Sequence, residues 1–151
     1  MPEAPSHVRI RQIDPELPLP TRAHPDDAGL DLCARTSVTL APGERAVIPT
    51  GIAVAIPRDH VGLLCARSGL AVRAGLGLVN GTGVIDAGYR GEVAVVLVNH
   101  DLTTPASVQR GDRIAQLIVV PITRPIPLRV DHLDDTERGM GGFGSTGTVG
   151  A

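Results

Sequence analysis

Ala46-Val47-Ile48-Pro49-Thr50-Gly51-Ile52-Ala53-Val54-Ala55-Ile56 decides the fold class. It reads as two short apolar strand pieces broken by a Pro-Thr-Gly turn. Working outward, the same pattern recurs. Val8 to Ile13 begins with the alternation of a half-buried strand. Val61–Cys65, Leu76–Val79, Val93–Val98 and Ile114–Ile122 are further strand candidates. Turn signals separate them at Ala41-Pro42-Gly43, Asn80-Gly81, Ala87-Gly88 and Arg110-Gly111-Asp112. Many short strands at this spacing indicate an all-β sandwich or barrel. Pro121, Pro125 and Pro127 suit edge or terminal strand positions. One segment reads as helical, Ser68 to Ala74, with Ser68 as the expected N-cap and Gly75 as the residue that ends it. The expected division is a β domain over 1–137 and a Gly-rich C-terminal arm over 138–151, which cannot pack a core and is expected to be mobile in isolation.

Composition narrows the class. The chain has 151 residues, no Trp, one Tyr and one Phe, while 18 Gly and 13 Pro make up about a fifth of it. The core must therefore be aliphatic, and the 42% hydrophobic content is enough to build one. The formal charge is −2, and every one of the 14 basic residues is Arg. That balance gives no basic stripe for nucleic acid, and two aromatics make no base-stacking platform. No apolar stretch reaches the roughly 18 residues of a membrane span, and no secretory leader is visible, so a cytoplasmic location is expected. Cys33 and Cys65 have no metal-ligand spacing and are expected to be small buried hydrophobes.

Four stretches could carry chemistry. Ala66-Arg67-Ser68-Gly69 opens the short helix, where free N–H groups, a hydroxyl and a guanidinium could cradle an anion; a purely structural cap is the alternative. Gly83-Val84-Ile85-Asp86-Ala87-Gly88-Tyr89-Arg90-Gly91-Glu92 reads as strand, turn, strand. Asp86 there is either a turn cap or a functional base. Gln116 lies inside an apolar run, so its amide needs partners, either structural or on a ligand. Arg138 through Gly147 offers consecutive N–H groups, a fixed cation and Phe143, an aromatic with no local packing partner; a disordered tail is the alternative. Several anion-binding elements, one carboxylate and two isolated aromatics together suit a nucleoside polyphosphate.

From about Val8 to Gly147 the chain resembles the trimeric deoxyuridine triphosphatases. Five motifs occur in order: Asp27-Ala28-Gly29-Leu30-Asp31-Leu32; Ala66-Arg67-Ser68-Gly69-Leu70-Ala71; Asn80 through Gly83-Val84-Ile85-Asp86-Ala87-Gly88-Tyr89-Arg90-Gly91; Arg110-Gly111-Asp112-Arg113-Ile114-Ala115-Gln116-Leu117; and Arg138-Gly139-Met140-Gly141-Gly142-Phe143-Gly144-Ser145-Thr146-Gly147. The resemblance implies a β jelly roll with one short helix, assembled as a homotrimer with active sites shared between subunits. It implies hydrolysis of dUTP to dUMP and pyrophosphate by water attack on the α-phosphate, which limits uracil incorporation into DNA and supplies dUMP for thymidylate synthesis. Asp86 would bind the deoxyribose 3′-hydroxyl region and orient the attacking water. Tyr89 would stack under the deoxyribose and leave no room for a 2′-hydroxyl. Asn80 and the backbone of Gly83, Val84 and Ile85 would read the uracil edge, and Ala94 would line the same pocket. Arg67, Ser68, Gly69 and Gln116 would hold the phosphates. Arg138, Gly144, Ser145 and Thr146 would close over the γ-phosphate, with Phe143 covering the uracil. Mg2+ would be held by the triphosphate oxygens with several waters retained. Asp31 is a candidate carboxylate near that ion, a structural role between strands being the alternative.

Two rivals stay open at this point. Deoxycytidine triphosphate deaminases resemble this fold and these motifs, but place a catalytic Glu about ten residues past the aspartate, where this chain has Val96. A non-catalytic nucleotide-binding jelly roll is the other, and the joint presence of Asp86, Tyr89, Gln116 and Arg138 speaks against it. Ala66 stands where the family commonly has Pro, and Met140 where it is often polar; neither change removes a group the chemistry needs.

Overall fold

The structure is a computed structural model and describes residues 7–147. Eleven strands and one helix run in the order β1 (Arg9–Gln12), β2 (Leu30–Cys33), β3 (Val38–Leu40), β4 (Arg45–Pro49), β5 (Ile52–Ala55), β6 (His60–Cys65), α1 (Ser68–Ala74), β7 (Leu76–Leu78), β8 (Gly83–Ile85), β9 (Ala94–Asn99), β10 (Ala106–Val108) and β11 (Arg113–Pro121). The fold is a jelly-roll-like β structure. One sheet has the order β2-β11-β6-β8 and another β4-β9-β7, with the two-stranded pairs β1-β5 and β10-β3 completing the wrap. Every pairing between these strands is antiparallel.

The Pro49-Thr50-Gly51 break does not fold a hairpin. The piece before it, β4, pairs with β9, whereas the piece after it, β5, pairs with β1. The chain changes sheet at this corner. Buried Thr50 holds the corner by donating both its N–H and its hydroxyl to the carbonyl of Val93, at 3.0 and 2.6 Å.

The core is aliphatic, as composition requires. Leu32, Leu40, Ile48, Leu97, Ile114 and Leu117 are its largest fully buried members, and neither aromatic is among the buried residues. In β9 burial alternates strictly, with Val95, Leu97 and Asn99 inward. Asn99 is the one fully enclosed amide of that strand. It is satisfied by donating to the carbonyls of Leu40 and Thr104 while accepting from the Asp101 N–H. A buried amide with all its partners supplied costs little and fixes the loops it bridges.

Several expectations are corrected. Glu92 and Val93 are not strand, and the stretch from Gly83 is not a hairpin: β8 pairs with β6, and the next strand, β9, belongs to the other sheet. Ser68 is the first helical residue rather than the cap. Arg67 holds the cap position and no side chain caps the helix, while Gly75 ends it in the left-handed region as expected (φ +63). The strands Leu30–Cys33, Val38–Leu40 and Ala106–Val108 are additions to the sequence reading. β1 is mostly exposed, with only Ile10 half-buried, because it lies in a separate two-stranded pair. Pro121 closes β11, whereas Pro125 and Pro127 lie beyond any strand. Cys33 and Cys65 are half-buried rather than core residues. Cys33 pairs across from Arg113 and Cys65 from Gln116, on opposite flanks of β11. Cys65 lies level with Asp31, two residues along β2 from Cys33, so the two stand two strand spacings apart and offset along the strands as well, more than about 10 Å and beyond the reach of a disulfide.

Candidate active site

Two cavities flank β6. The first, about 240 Å³, is lined by Leu64, Asn80, Gly83, Val84, Ile85, Asp86, Tyr89, Val93 and Ala94. It gathers every residue of the third motif expected to meet a nucleoside, together with Ala94. Leu64 and Val93 also line it; both read as ordinary strand residues, and no sequence signal marked them. β8 is the edge of its sheet, so the outer row of N–H and C=O groups of Gly83–Ile85 has no strand partner. An edge of this kind is a hydrogen-bond template for a planar polar group.

Asp86 stands directly after β8. The turn that follows is closed by the backbone, with the Tyr89 N–H donating to the Asp86 carbonyl at 3.0 Å. The Asp86 carboxylate itself has no hydrogen-bond or ion-pair partner among the described residues. It is therefore not a turn cap. Tyr89 is 45% exposed and donates its hydroxyl to the Glu92 carbonyl at 2.9 Å.

The second cavity, about 290 Å³, is lined by Ala23, Asp27, Ala28, Gly29, Asp31, Arg67, Ser68, Gly69 and Gln116. Gln116 donates to the Ala66 carbonyl at 3.0 Å, tying β11 to the end of β6. A side chain at position 29 would collide with the Gln116 amide, so the glycine of the first motif makes room for it. Asp31 does not stand ready for a cation. Its Oδ1 lies 3.1 Å from Arg67 Nε and its Oδ2 3.1 Å from Arg113 Nη1. Arg67 also donates to the Arg113 carbonyl at 3.0 Å. The carboxylate thus braces two arginines beside the cavity, the structural alternative of the sequence reading. Arg113 is the partner that reading missed, although it sits in the fourth motif; only the fold brings position 113 opposite position 33 and beside Asp31.

The arm joins neither cavity. After Pro121 the described chain forms no strand or helix and is exposed almost throughout. Arg138 donates to the Gly141 carbonyl at 2.9 Å, and Gly144 and Ser145 take part in local turns. Phe143 is fully exposed and Thr146 is exposed. The positions 148–151 of the expected arm lie outside the described residues.

The sequence model of the dUTPase family matches residues 15–147. The chain belongs to the dUTPase family. Curated relatives agree. A deoxyuridine 5'-triphosphate nucleotidohydrolase of Nocardia farcinica is 55% identical over 142 residues, covering 94% of this chain and 86% of its own. One of Thermobifida fusca is 55% identical over 140 residues, covering 93% and 78%. Among solved structures, a Staphylococcus bacteriophage 80alpha dUTPase mutant with dUpNHpp superposes with a TM-score of 0.86 at 32% identity, covering 95% of this chain and all of that one. A phage phi11 dUTPase mutant, with a TM-score of 0.79 at 30% identity over 85% of this chain and 99% of its own, is described for the coordination of a structural Mg(II) ion. Neither the deaminase nor the non-catalytic alternative is favoured by these relatives. Within the dUTPase fold, Val96 is an ordinary strand residue opposite Val47.

Proposed function

We propose that this chain is a dUTP diphosphatase whose active site is shared between copies in a homotrimer. The observation that carries the reading is the first cavity: an exposed, unpartnered carboxylate at Asp86, three residues from the only tyrosine, along an unpaired strand edge. Uracil would pair with the edge formed by Gly83–Ile85 and with Asn80, with Ala94 closing the pocket. Tyr89 would pack under the sugar, where a 2′-hydroxyl would clash. Asp86 would accept a hydrogen bond from the attacking water and take its proton as the new bond to the α-phosphorus forms. The bond from that phosphorus to the bridging oxygen then breaks, and pyrophosphate leaves with the electron pair. Such a reaction needs positioning and charge neutralisation more than covalent chemistry. Arg67, Ser68, Gly69 and Gln116 supply phosphate donors in the second cavity. The product dUMP serves thymidylate synthesis, and removal of dUTP keeps uracil out of DNA. The reading places this chain in the cytoplasm.

Mg2+ enters this reading with its substrate. Both oxygens of Asp31 are engaged by arginines, and no group of three or more His, Cys, Asp or Glu among the described residues forms a ligand set. The chain by itself does not fit a protein-caged ion, whereas the oxygens of a triphosphate chelate Mg2+ without one. Bound this way, the ion neutralises phosphate charge.

Three features support sharing between copies. The two cavities have no residue in common. The arm with Arg138, Phe143, Gly144, Ser145 and Thr146 touches neither of them within its own chain. Ile126, Leu128 and Val130 alternate along a segment without strand or helix and are exposed, while a groove of about 370 Å³, lined by Val8, Ile10, Leu19, Leu30, Leu117 and Val119 together with His7, Arg22 and His60, stands open. A neighbour's arm would fill such a groove and then deliver residues 138–147 as a lid that excludes water. The proposed division keeps 1–137 as the β domain, its exposed connection after Pro121 included, and starts the closing arm at 138.

The test is pyrophosphate release from dUTP, UTP, dTTP and dCTP with Mg2+. The reading requires dUTP to be turned over far faster than the others, with dUMP as product. Equal turnover of UTP, or ammonia release from dCTP, refutes it.

A further inference from the structure

Glu92 follows directly on the third motif, and the dUTPase reading gives it no task. Yet it is the most heavily anchored residue beside the nucleoside cavity. Its backbone carbonyl accepts the Tyr89 hydroxyl at 2.9 Å. Its carboxylate accepts the Gly51 N–H at 2.9 Å, and Arg35 Nη1 lies 3.3 and 3.2 Å from its two oxygens. Arg35 is fixed in turn. Its Nε lies 3.4 Å from buried Asp14, and its carbonyl accepts from Arg110 at 2.8 Å. Arg110 forks onto both Asp14 oxygens, at 2.5 and 3.1 Å. The next residue, Val93, is bonded to Thr50 and Ile52 through its own backbone.

These contacts converge on the tyrosine ring from outside the cavity. Asp14, Arg35 and Gly51 do not line the cavity. They hold the 92–93 segment so that its carbonyl meets the Tyr89 hydroxyl. From the other side, the ring lies so close over Gly91 that a Cβ there would overlap the phenol oxygen. The ring is thus confined between a fixed acceptor and a glycine floor. Without the carboxylate anchor, the peptide carrying that acceptor keeps only its Val93 N–H bond to the Ile52 carbonyl, so the acceptor loses its side-chain brace and the ring gains room to tilt. An aromatic side chain has a few staggered rotamers, and its surroundings select among them.

We propose that Glu92, held by Arg35, is a positioning residue that fixes the Tyr89 ring and thereby sets discrimination at the 2′ position of the sugar. The inference rests on the dUTP reading of this site. It differs from a structural role in predicting a loss of selectivity rather than a uniform loss of activity. A ring free to tilt admits a 2′-hydroxyl, so UTP should gain relative to dUTP.

The protein provides its own probe. Tyr89 is the only tyrosine and there is no tryptophan, so intrinsic fluorescence excited near 280 nm reports this one ring. The experiment compares the full chain with Glu92→Gln, which keeps an acceptor for Gly51 but loses the charge facing Arg35. It adds Glu92→Ala, Arg35→Met, Tyr89→Phe and the double variant Glu92→Ala with Tyr89→Phe. The folded state of each is checked by circular dichroism. Acrylamide quenching of Tyr89 should rise about twofold in Glu92→Ala and less in Glu92→Gln and Arg35→Met. The ratio of kcat/KM for dUTP over UTP should fall about tenfold in Glu92→Ala and in Tyr89→Phe, the equivalent of one hydrogen bond. The double variant should fall no further, because both changes release the same ring. Unchanged quenching and an unchanged ratio in the folded variants overturn the proposal, as does full additivity in the double variant. If the Glu92 variants do not fold, Arg35→Met decides by the same two readouts. If the unmodified enzyme fails to prefer dUTP, the functional reading fails, while the quenching series still judges whether Glu92 holds the ring.

Discussion

Replacing Asp31 with Asn separates two roles for the first motif. The side chain is 14% exposed and lies 3.1 Å from a nitrogen on each of Arg67 and Arg113, whose side chains are 24% and 52% exposed. Asn keeps the shape but loses the charge, and its NH2 faces one of the two guanidinium donors. Breaking a fully buried pair costs about 3–5 kcal/mol, whereas an exposed pair contributes about 0–1 kcal/mol. With one arginine largely enclosed and the other half in water, the loss here should be about 1–2 kcal/mol. For a chain of this length that lowers Tm by about 3–6 °C. The loosened Arg67 should raise KM for dUTP several-fold, because its guanidinium no longer has a fixed direction beside Gln116. The loss of one negative charge near the phosphates pulls the other way. At about 8 Å in water the repulsion so relieved is only about 0.5 kcal/mol per phosphate charge, less than the lost positioning. The half-saturating Mg2+ concentration should not move. Thermal unfolding, dUTP kinetics and a Mg2+ titration on the same variant decide the matter. A variant with normal Tm and KM but a large rise in the Mg2+ requirement would refute the bracing role and return Asp31 to the ion.

Leu97→Ala, at a site 1% exposed on the inward face of β9, should destabilise by about 3–4 kcal/mol by chemical denaturation, since the all-aliphatic core has no aromatic to collapse into the void. Asp14 is held at a pKa of about 2, against an ordinary 3.8, chiefly by its hydrogen bond from Arg110. Its folded-state pKa is depressed, so its stabilising contribution is complete above about pH 4 and disappears as pH falls toward 2. The denaturation midpoint should drop across that window, and Asp14→Asn should flatten the drop. Burial, and then the neighbouring Asp31, push the Cys33 thiol above its ordinary value, so its alkylation at pH 8 should be slower than that of a free thiol in the same buffer.

The aliphatic core, the strand-rich class and the single helix were legible because short β-branched runs between Gly and Pro signals leave few other solutions. The strands Leu30–Cys33 and Val38–Leu40 were harder to see, since each is short and interrupted by polar residues that point outward or, like Asp31, into a charge pair. The apparent hairpin after Gly83 misled for a different reason. Local pattern fixes where a strand starts and stops, but not which sheet it joins, and β8 and β9 separate because both find longer partners elsewhere. At the site, every candidate from Arg67 to Gln116 lines one of the two cavities. What the chain could not disclose was commitment. Arg67 and Asp31 read as a phosphate ligand and an ion neighbour, and the fold spends part of each on the other. Glu92 carried no signal at all, because its partners Arg35 and Gly51 lie 57 and 41 positions away in sequence.

The most direct test of the shared site uses two inactive proteins, one carrying Asp86→Asn and the other lacking everything from Arg138 onward. Each should be inactive by itself on dUTP. Unfolded together, refolded and assayed for pyrophosphate release, the mixture should recover activity. Mixed trimers then contain sites that combine an intact Asp86 from one copy with an intact arm from another. A mixture that refolds into mixed assemblies, verified by differently tagged copies, and still shows no activity would contradict an active site built between subunits.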